Sequence, residues 1–288
     1  MPGPTPEADA AMHPRRRTLL LAAAAAAALA RPALGQRAAP AYRFAEIARF
    51  PSRFARQGIA VDEGSVYPVT DRGIGRHEKP GGRLVAQWEG PRDGPVIHLD
   101  SGVVVDGRLY AAHSNYPQEP MTSSVEVFDA ERLEPIGTHS FGIQWGSLTW
   151  VDRHEGAWWA VFANYSRVFG PSQRPYGNTW WTTLVRLDDR WRPDQGWVFP
   201  PEVLRRAEPM SISGGSWGPD GLLWCTGHDH REVYALRLPR AGSLLELVAT
   251  VPIPGEGQGI AWDRSRPGEL WCISRPRGEA IGLRLEAG

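Results

Sequence analysis

Residues 101–129 read SGVVVDGRLYAAHSNYPQEPMTSSVEVFD, and the fold follows from how this stretch is parsed. An apolar run ends at Asp106-Gly107, a dipeptide whose tolerance of positive φ suits a tight hairpin turn. A second strand follows over 108–113, and a third over 124–129 alternates apolar and polar residues as a half-buried strand does. Between them lies His113-Ser114-Asn115-Tyr116, a polar insert that no strand requires.

The same parse returns along the chain, with turn aspartates at Asp62, Asp106, Asp152, Asp220 and Asp263. Their spacings are 44, 46, 68 and 43 residues, so one repeat carries an insertion. Each turn joins an apolar strand to an aromatic-rich one, and a third strand follows at 73–77, 124–129, 182–188, 232–238 and 280–286. A fourth follows at 83–88, 134–141, 191–199 and 245–253, whereas the last repeat reaches the C-terminus without one. Residues 42–50 resemble 245–251 and supply the missing strand. Four-stranded units of about 40–50 residues closed into a ring are β-propeller blades. The expectation is a five-bladed, all-β propeller over 42–288, closed by the N-terminal strand; the alternative is a sixth blade hidden in 165–180 and 193–213.

Register agrees with a crowded axis. Gly58 and Ala60, Gly102 and Val104, Ser216 and Gly218, and Gly259 and Ala261 are small at equivalent inner-strand positions, while Leu148 and Trp150 break the rule. The turn aspartates read as scaffold, and Trp224 and Trp271 as packing between blades. Cys225 and Cys272 follow those tryptophans in one register of neighbouring blades, so two buried free thiols are expected.

Composition narrows the function classes. Gly 32, Pro 26 and Trp 13 in 288 residues fit many turns around large aromatic packing. Lys+Arg and Asp+Glu are equal at 32, which removes the broad positive field of a nucleic-acid binder, so no nucleic-acid partner is expected. Arg15-Arg16-Arg17 precedes Thr18-Leu19-Leu20-Leu21 and an alanine run, which reads as a signal peptide over 1–35. Its apolar core is too short for a permanent membrane anchor. Arg16-Arg17-Thr18-Leu19-Leu20 resembles a twin-arginine signal, implying the twin-arginine export machinery as a partner and a periplasmic or secreted bacterial protein. An ordinary secretory signal is the alternative.

In a propeller, the loops entering inner strands and those joining second to third strands open on one face, where long loops carry function. That face collects His98, His113, His139 and His228, a set that could hold one divalent metal ion only if three converge. The alternative reading has these histidines capping loops, as His77, His154 and His230 do in charged turns. Catalytic expectations fall on His113 or His228 as general acid or base, with Glu256 or Asp229 orienting it. Substrate contacts are expected from Arg56, Asn115, Tyr116, Trp145, Asn164, Trp180, Gln258 and Arg275, and residues 170–179 read as a rim or lid loop.

HSNYP at 113–117, PMTSS at 120–124, GSLTWVDR at 146–153, GPDGLLWCTGHD at 218–229 and GQGIAWD at 257–263 resemble a group of exported bacterial propellers described as cycloisomerase-like. That group is more distantly similar to gluconolactonase-type propellers. The resemblance implies an enzyme acting on a small polar or carbohydrate-like molecule by hydrolysis, elimination, cycloisomerisation or lactone chemistry. Gluconolactonase-type propellers have six blades and a metal held mainly by carboxylate and asparagine ligands; here only Glu256, Asn115, Asn164 and Asp229 match that chemistry. The remaining alternative is a non-catalytic ligand- or protein-binding propeller.

Overall fold

In the computed structural model, which describes residues 42–79 and 81–287, the strands form five antiparallel four-stranded sheets. The expected signal segment, residues 1–35, lies outside the described residues. Blade one runs Gly58–Val61, Ser65–Thr70, Gly73–Glu78 and Leu84–Glu89 from the axis outward. Blade two is His98–Val105, Arg108–Ser114, Ser123–Asp129 and Pro135–Gly142. Blade three is Ser147–His154, Ala157–Ala163, Thr183–Leu187 and Pro193–Val198, and blade four is Gly214–Trp217, Leu223–Thr226, Glu232–Arg237 and Glu246–Pro252.

Blade five has Ala261–Trp262, Glu269–Ser274 and Glu279–Ala287, and its outermost strand is Tyr42–Pro51 from the other end of the chain. The two termini pair antiparallel from Tyr42 opposite Ala287 to Pro51 opposite Glu279. Neighbouring inner strands touch in the order one to five and back to one, so the fold is a five-bladed β-propeller. The long interval in blade three holds no sixth sheet. It contains an irregular loop, a single 3₁₀ turn at Thr179–Trp181 and, after the fourth strand, the short helix Pro201–Ala207.

The axis is packed backbone against backbone. A Cβ added to Gly259 would stand 2.7 Å from the Gly58 Cα and 2.6 Å from the Ser101 Cβ, so only glycine allows three inner strands to meet there. Trp150, which broke the small-residue rule, turns toward blade four: a Cβ on Gly215 would stand 2.4 Å from its indole. The missing side chain of one blade is therefore filled by the large one of the next, and Trp150 is fully buried beside Trp159, Leu184, Trp217 and Tyr234.

The turn aspartates serve the scaffold as read. Asp62 accepts from the backbone N–H groups of Gly64 at 2.9 Å and Ser65 at 2.8 Å. Asp152 is buried and accepts from Trp217 N–H at 2.8 Å, from Arg264 and from the Ser216 hydroxyl, tying blade three to four. Asp263 pairs with Lys79, the only lysine of the sequence, and both side chains are buried at the junction of blades five and one. Cys225 and Cys272 are free and buried, and burial pushes the Cys272 thiol up to about 12.

Candidate functional site

One cavity of about 270 Å³ sits over the axis and is lined from all five blades. Gln57 comes from blade one, His98, Asp100 and Tyr116 from blade two, and Thr149, Tyr165 and Arg167 from blade three. Met210, Ser213 and His228 come from the blade-four segment, and Gln258 and Arg275 from blade five. Every one belongs to an inner strand, to a loop entering one, or to a loop joining a second to a third strand.

Two β-bulges aim side chains into it. In blade two Leu99 pairs with His113 and Gly102 with Ala111, so Asp100 and Ser101 stand opposite the single residue Ala112. In blade three Leu148 pairs with Phe162 and Trp150 with Val161, leaving Thr149 as the extra residue. A bulge bends the strand and redirects one side chain, and here the redirected residues Asp100 and Thr149 both line the cavity.

Asp100 is the electrostatic centre. Its Oδ2 is buried without a hydrogen-bond partner, and the nearest base is His98, whose Nε2 lies 3.6 Å away. Burial pushes the Asp100 carboxyl up to about 7, the His98 charge pulls it partly back, and the Asp71 charge raises it again. His98 reaches the other way with Nδ1, 2.8 Å from Asp71 Oδ1. Burial works against its imidazolium, but Asp100 and Asp71 outweigh this and hold its pKa above the usual histidine value. The imidazole thus links a buried carboxyl to one whose side chain is 52% exposed.

The network continues around the ring. Gln57 donates from Nε2 to Asp71 Oδ1 at 2.7 Å and accepts from an Arg275 amino group at 2.9 Å. Arg275 also donates to the Arg56 carbonyl at 2.9 Å and approaches His228 Nε2 at 3.3 Å. A guanidinium only donates, so His228 Nε2 is the acceptor and the ring proton sits on Nδ1, donated to Asp229 at 2.6 Å. Burial lowers the His228 pKa, with Asp229 opposing it, and His228 is neutral in this arrangement. Tyr116, Tyr165 and Phe169 form an aromatic wall with ring centroids 5.1–5.6 Å apart, and His98 lies 4.8 Å from the Tyr116 ring.

The structure gathers some of the expected site residues and separates others. His98, Tyr116, His228, Gln258 and Arg275 line the cavity, and Arg56 locks Arg275 by donating to its carbonyl at 2.8 Å. His113 does not reach it. It is buried within blade two, accepting from Ile97 N–H at 3.1 Å and bonding Ser124 at 2.8 Å; strand alternation puts it on the opposite face of the sheet from Ser114, whose hydroxyl accepts from Ser147 of blade three at 2.8 Å. His139 lies in the outermost strand of blade two and stacks on Trp191 at 5.8 Å, far from His98 in the fold.

Asn115 and Asn164 are used by their own loops: Asn115 Oδ1 accepts from Thr122 N–H at 2.7 Å, and Asn164 donates to the Trp145 carbonyl at 3.2 Å. Trp145 packs on Phe162, and Trp180 donates to Glu208 at 2.8 Å on the surface. Glu256 pairs with Arg231, and the Asp229 side chain is 71% exposed. The expectations give no role to Gln57, Asp100, Thr149, Tyr165, Arg167, Met210 or Ser213, which also line the cavity. For Asp100 the His98-x-Asp100 spacing is a signal, since alternate strand residues share a face.

Among the described residues no three His, Cys, Asp or Glu side chains are grouped to hold a metal ion. The carboxylate and asparagine donors of a gluconolactonase-type centre are also committed elsewhere, to Arg231, to His228 and to loop backbone. The residues present therefore do not fit that centre.

The fold and cavity define the class: a five-bladed propeller with a polar axial pocket. No family model and no curated protein matches the chain. Among solved structures it is similar to the PQQ-bound aldose sugar dehydrogenase from Streptomyces coelicolor, with 13% identity over 86% of this chain and 98% of that one and a TM-score of 0.51. It is also similar to a luciferin-regenerating enzyme, with 10% identity over 86% of this chain and 95% of that one and a TM-score of 0.49. At such identity the likeness to the dehydrogenase is one of fold.

Proposed function

We propose that the axial cavity is the active site of an exported enzyme acting on a small polar or carbohydrate-like molecule, with Asp100 as general acid or base. The observation that carries this is the buried, unpartnered Asp100 Oδ2 beside His98 Nε2 at 3.6 Å. A carboxyl held near neutrality can both take and give a proton, as elimination, isomerisation or lactone opening requires. His98 would return that proton toward solvent through Asp71. Arg275, fixed by Arg56 and Gln57, would orient a polar substrate group, and Tyr116 with Tyr165 would cover one side of it.

A thermal-shift screen of sugars, sugar acids and lactones should identify a ligand that the wild-type protein converts. Asp100→Asn should still bind that ligand but lose turnover by a hundredfold or more, about the weight of a general acid–base. The reading fails if no compound shifts the melting temperature or if Asp100→Asn turns over normally. Export is proposed on Arg16-Arg17-Thr18-Leu19-Leu20 alone. Replacing Arg16 and Arg17 by lysine should retain a fused reporter in the cytoplasm.

A further inference from the structure

Ser52 follows the strand that closes blade five, and His77 lies in the third strand of blade one. Their side chains meet, with Ser52 Oγ 2.9 Å from His77 Nε2. On the other side of the ring, Nδ1 lies 2.9 Å from the Gly82 carbonyl oxygen. A carbonyl only accepts, so Nδ1 carries the ring proton and Nε2 is left to accept from the serine hydroxyl. The Phe50 ring, 5.0 Å from the imidazole, holds it in place. Burial lowers the His77 pKa, with the Gly82 bond opposing, which favours the neutral ring a base must start from.

Both residues are buried, yet both border a surface cleft of about 460 Å³ that shares no lining residue with the axial cavity. Phe54 and Leu84 give the cleft apolar walls, and Arg56 and Arg277 bring positive charge to it. A hydroxyl, a base within hydrogen-bond reach and a third group orienting that base is the arrangement that activates a serine. The sequence suggested only a turn-capping role for His77, because Ser52 is 25 positions away and joins it through ring closure.

We propose that Ser52 is a nucleophilic serine, activated by His77, that accepts the acyl group of a small carboxylic ester. Ser52 Oγ bonds to the carbonyl carbon while its proton passes to His77 Nε2. The ester C–O bond then breaks, and the alcohol leaves with that proton. Water attacks the acyl-serine, giving its proton to Nε2; the carboxylic acid departs and Ser52 is reprotonated. The Gly82 carbonyl steadies the imidazolium, and the arginines supply charge of the sign the anionic intermediate needs.

The test uses a fluorophosphonate and p-nitrophenyl acetate on the purified protein. Digestion and mass spectrometry should find one phosphonate adduct per chain, on Ser52, and the blocked protein should lose p-nitrophenol release. His77→Gln, with folding checked by its melting curve, should be labelled about a hundredfold more slowly or worse. No adduct, an adduct on another residue, undiminished release after blocking, or wild-type labelling of a folded His77→Gln would overturn the proposal. Mapping the adduct on the wild-type chain decides the matter even if the variant does not fold.

Discussion

Replacing Asp100 with asparagine should change how stability depends on pH. Burial raises this carboxyl from 3.8 to about 7 in the folded chain. Between those values the folded state binds more protons than the unfolded state, so the penalty is absent below about pH 4 and complete above about pH 7. A shift of roughly three units at 1.36 kcal/mol each makes the penalty about 4 kcal/mol. His98, whose pKa is lowered by burial but held above the usual value by Asp100 and Asp71 together, contributes in the same sense, its stabilisation being lost as pH rises through its folded value. Asparagine nearly preserves the shape and removes the Asp100 penalty together with the share of the His98 effect that Asp100 supplies, and any cost of burying the amide is independent of pH. Urea unfolding followed by tryptophan fluorescence at about pH 4, 5.5 and 8 should show the wild type losing about 4 kcal/mol relative to Asp100→Asn across that range. Parallel profiles would refute the reasoning, for they would mean that Asp100 titrates as an ordinary carboxylate.

Other perturbations probe the scaffold. Gly215→Ala drives a methyl to 2.4 Å from the Trp150 indole and should cost about 1–3 kcal/mol, read as a lower urea midpoint. Lys79→Met leaves Asp263 buried without its partner and should cost about 3–5 kcal/mol, whereas Lys79→Met combined with Asp263→Leu should recover most of that loss. Cys225 and Cys272 should be silent to an aromatic disulfide reagent in the native protein, and both should react once it is unfolded in urea.

The ring was legible because its punctuation is local. An aspartate ending an apolar run, with a glycine directly behind it at Asp106 and Asp220, declares a turn, and five such aspartates count the blades. The rejection of a sixth blade was harder, since 193–213 holds aromatic and β-prone residues that the fold uses for one strand and one short helix. Most of the cavity rim could be read from topology, which fixes the loops that share a face. The bulges could not: an extra residue among Leu148, Thr149 and Trp150 leaves no mark in composition, yet it turns Thr149 to the axis and Trp150 into the next blade. The placement of His113 is illegible for a related reason, because one step along a strand decides which face of the sheet a side chain takes, and His113 takes the one that packs on Ile97 and Ser124.

Lys79 gives the molecule an unusual chemical property. Its ammonium is the only side-chain amine of the chain, and it is shut away where the first and last blades meet. Acylating and cross-linking reagents that seek lysine will therefore find no side-chain target on the native surface. Modification of Lys79 would require the seam between those blades to part, so its rate under native conditions becomes a one-residue clock for opening of the ring, readable by mass alone and blind to motion elsewhere.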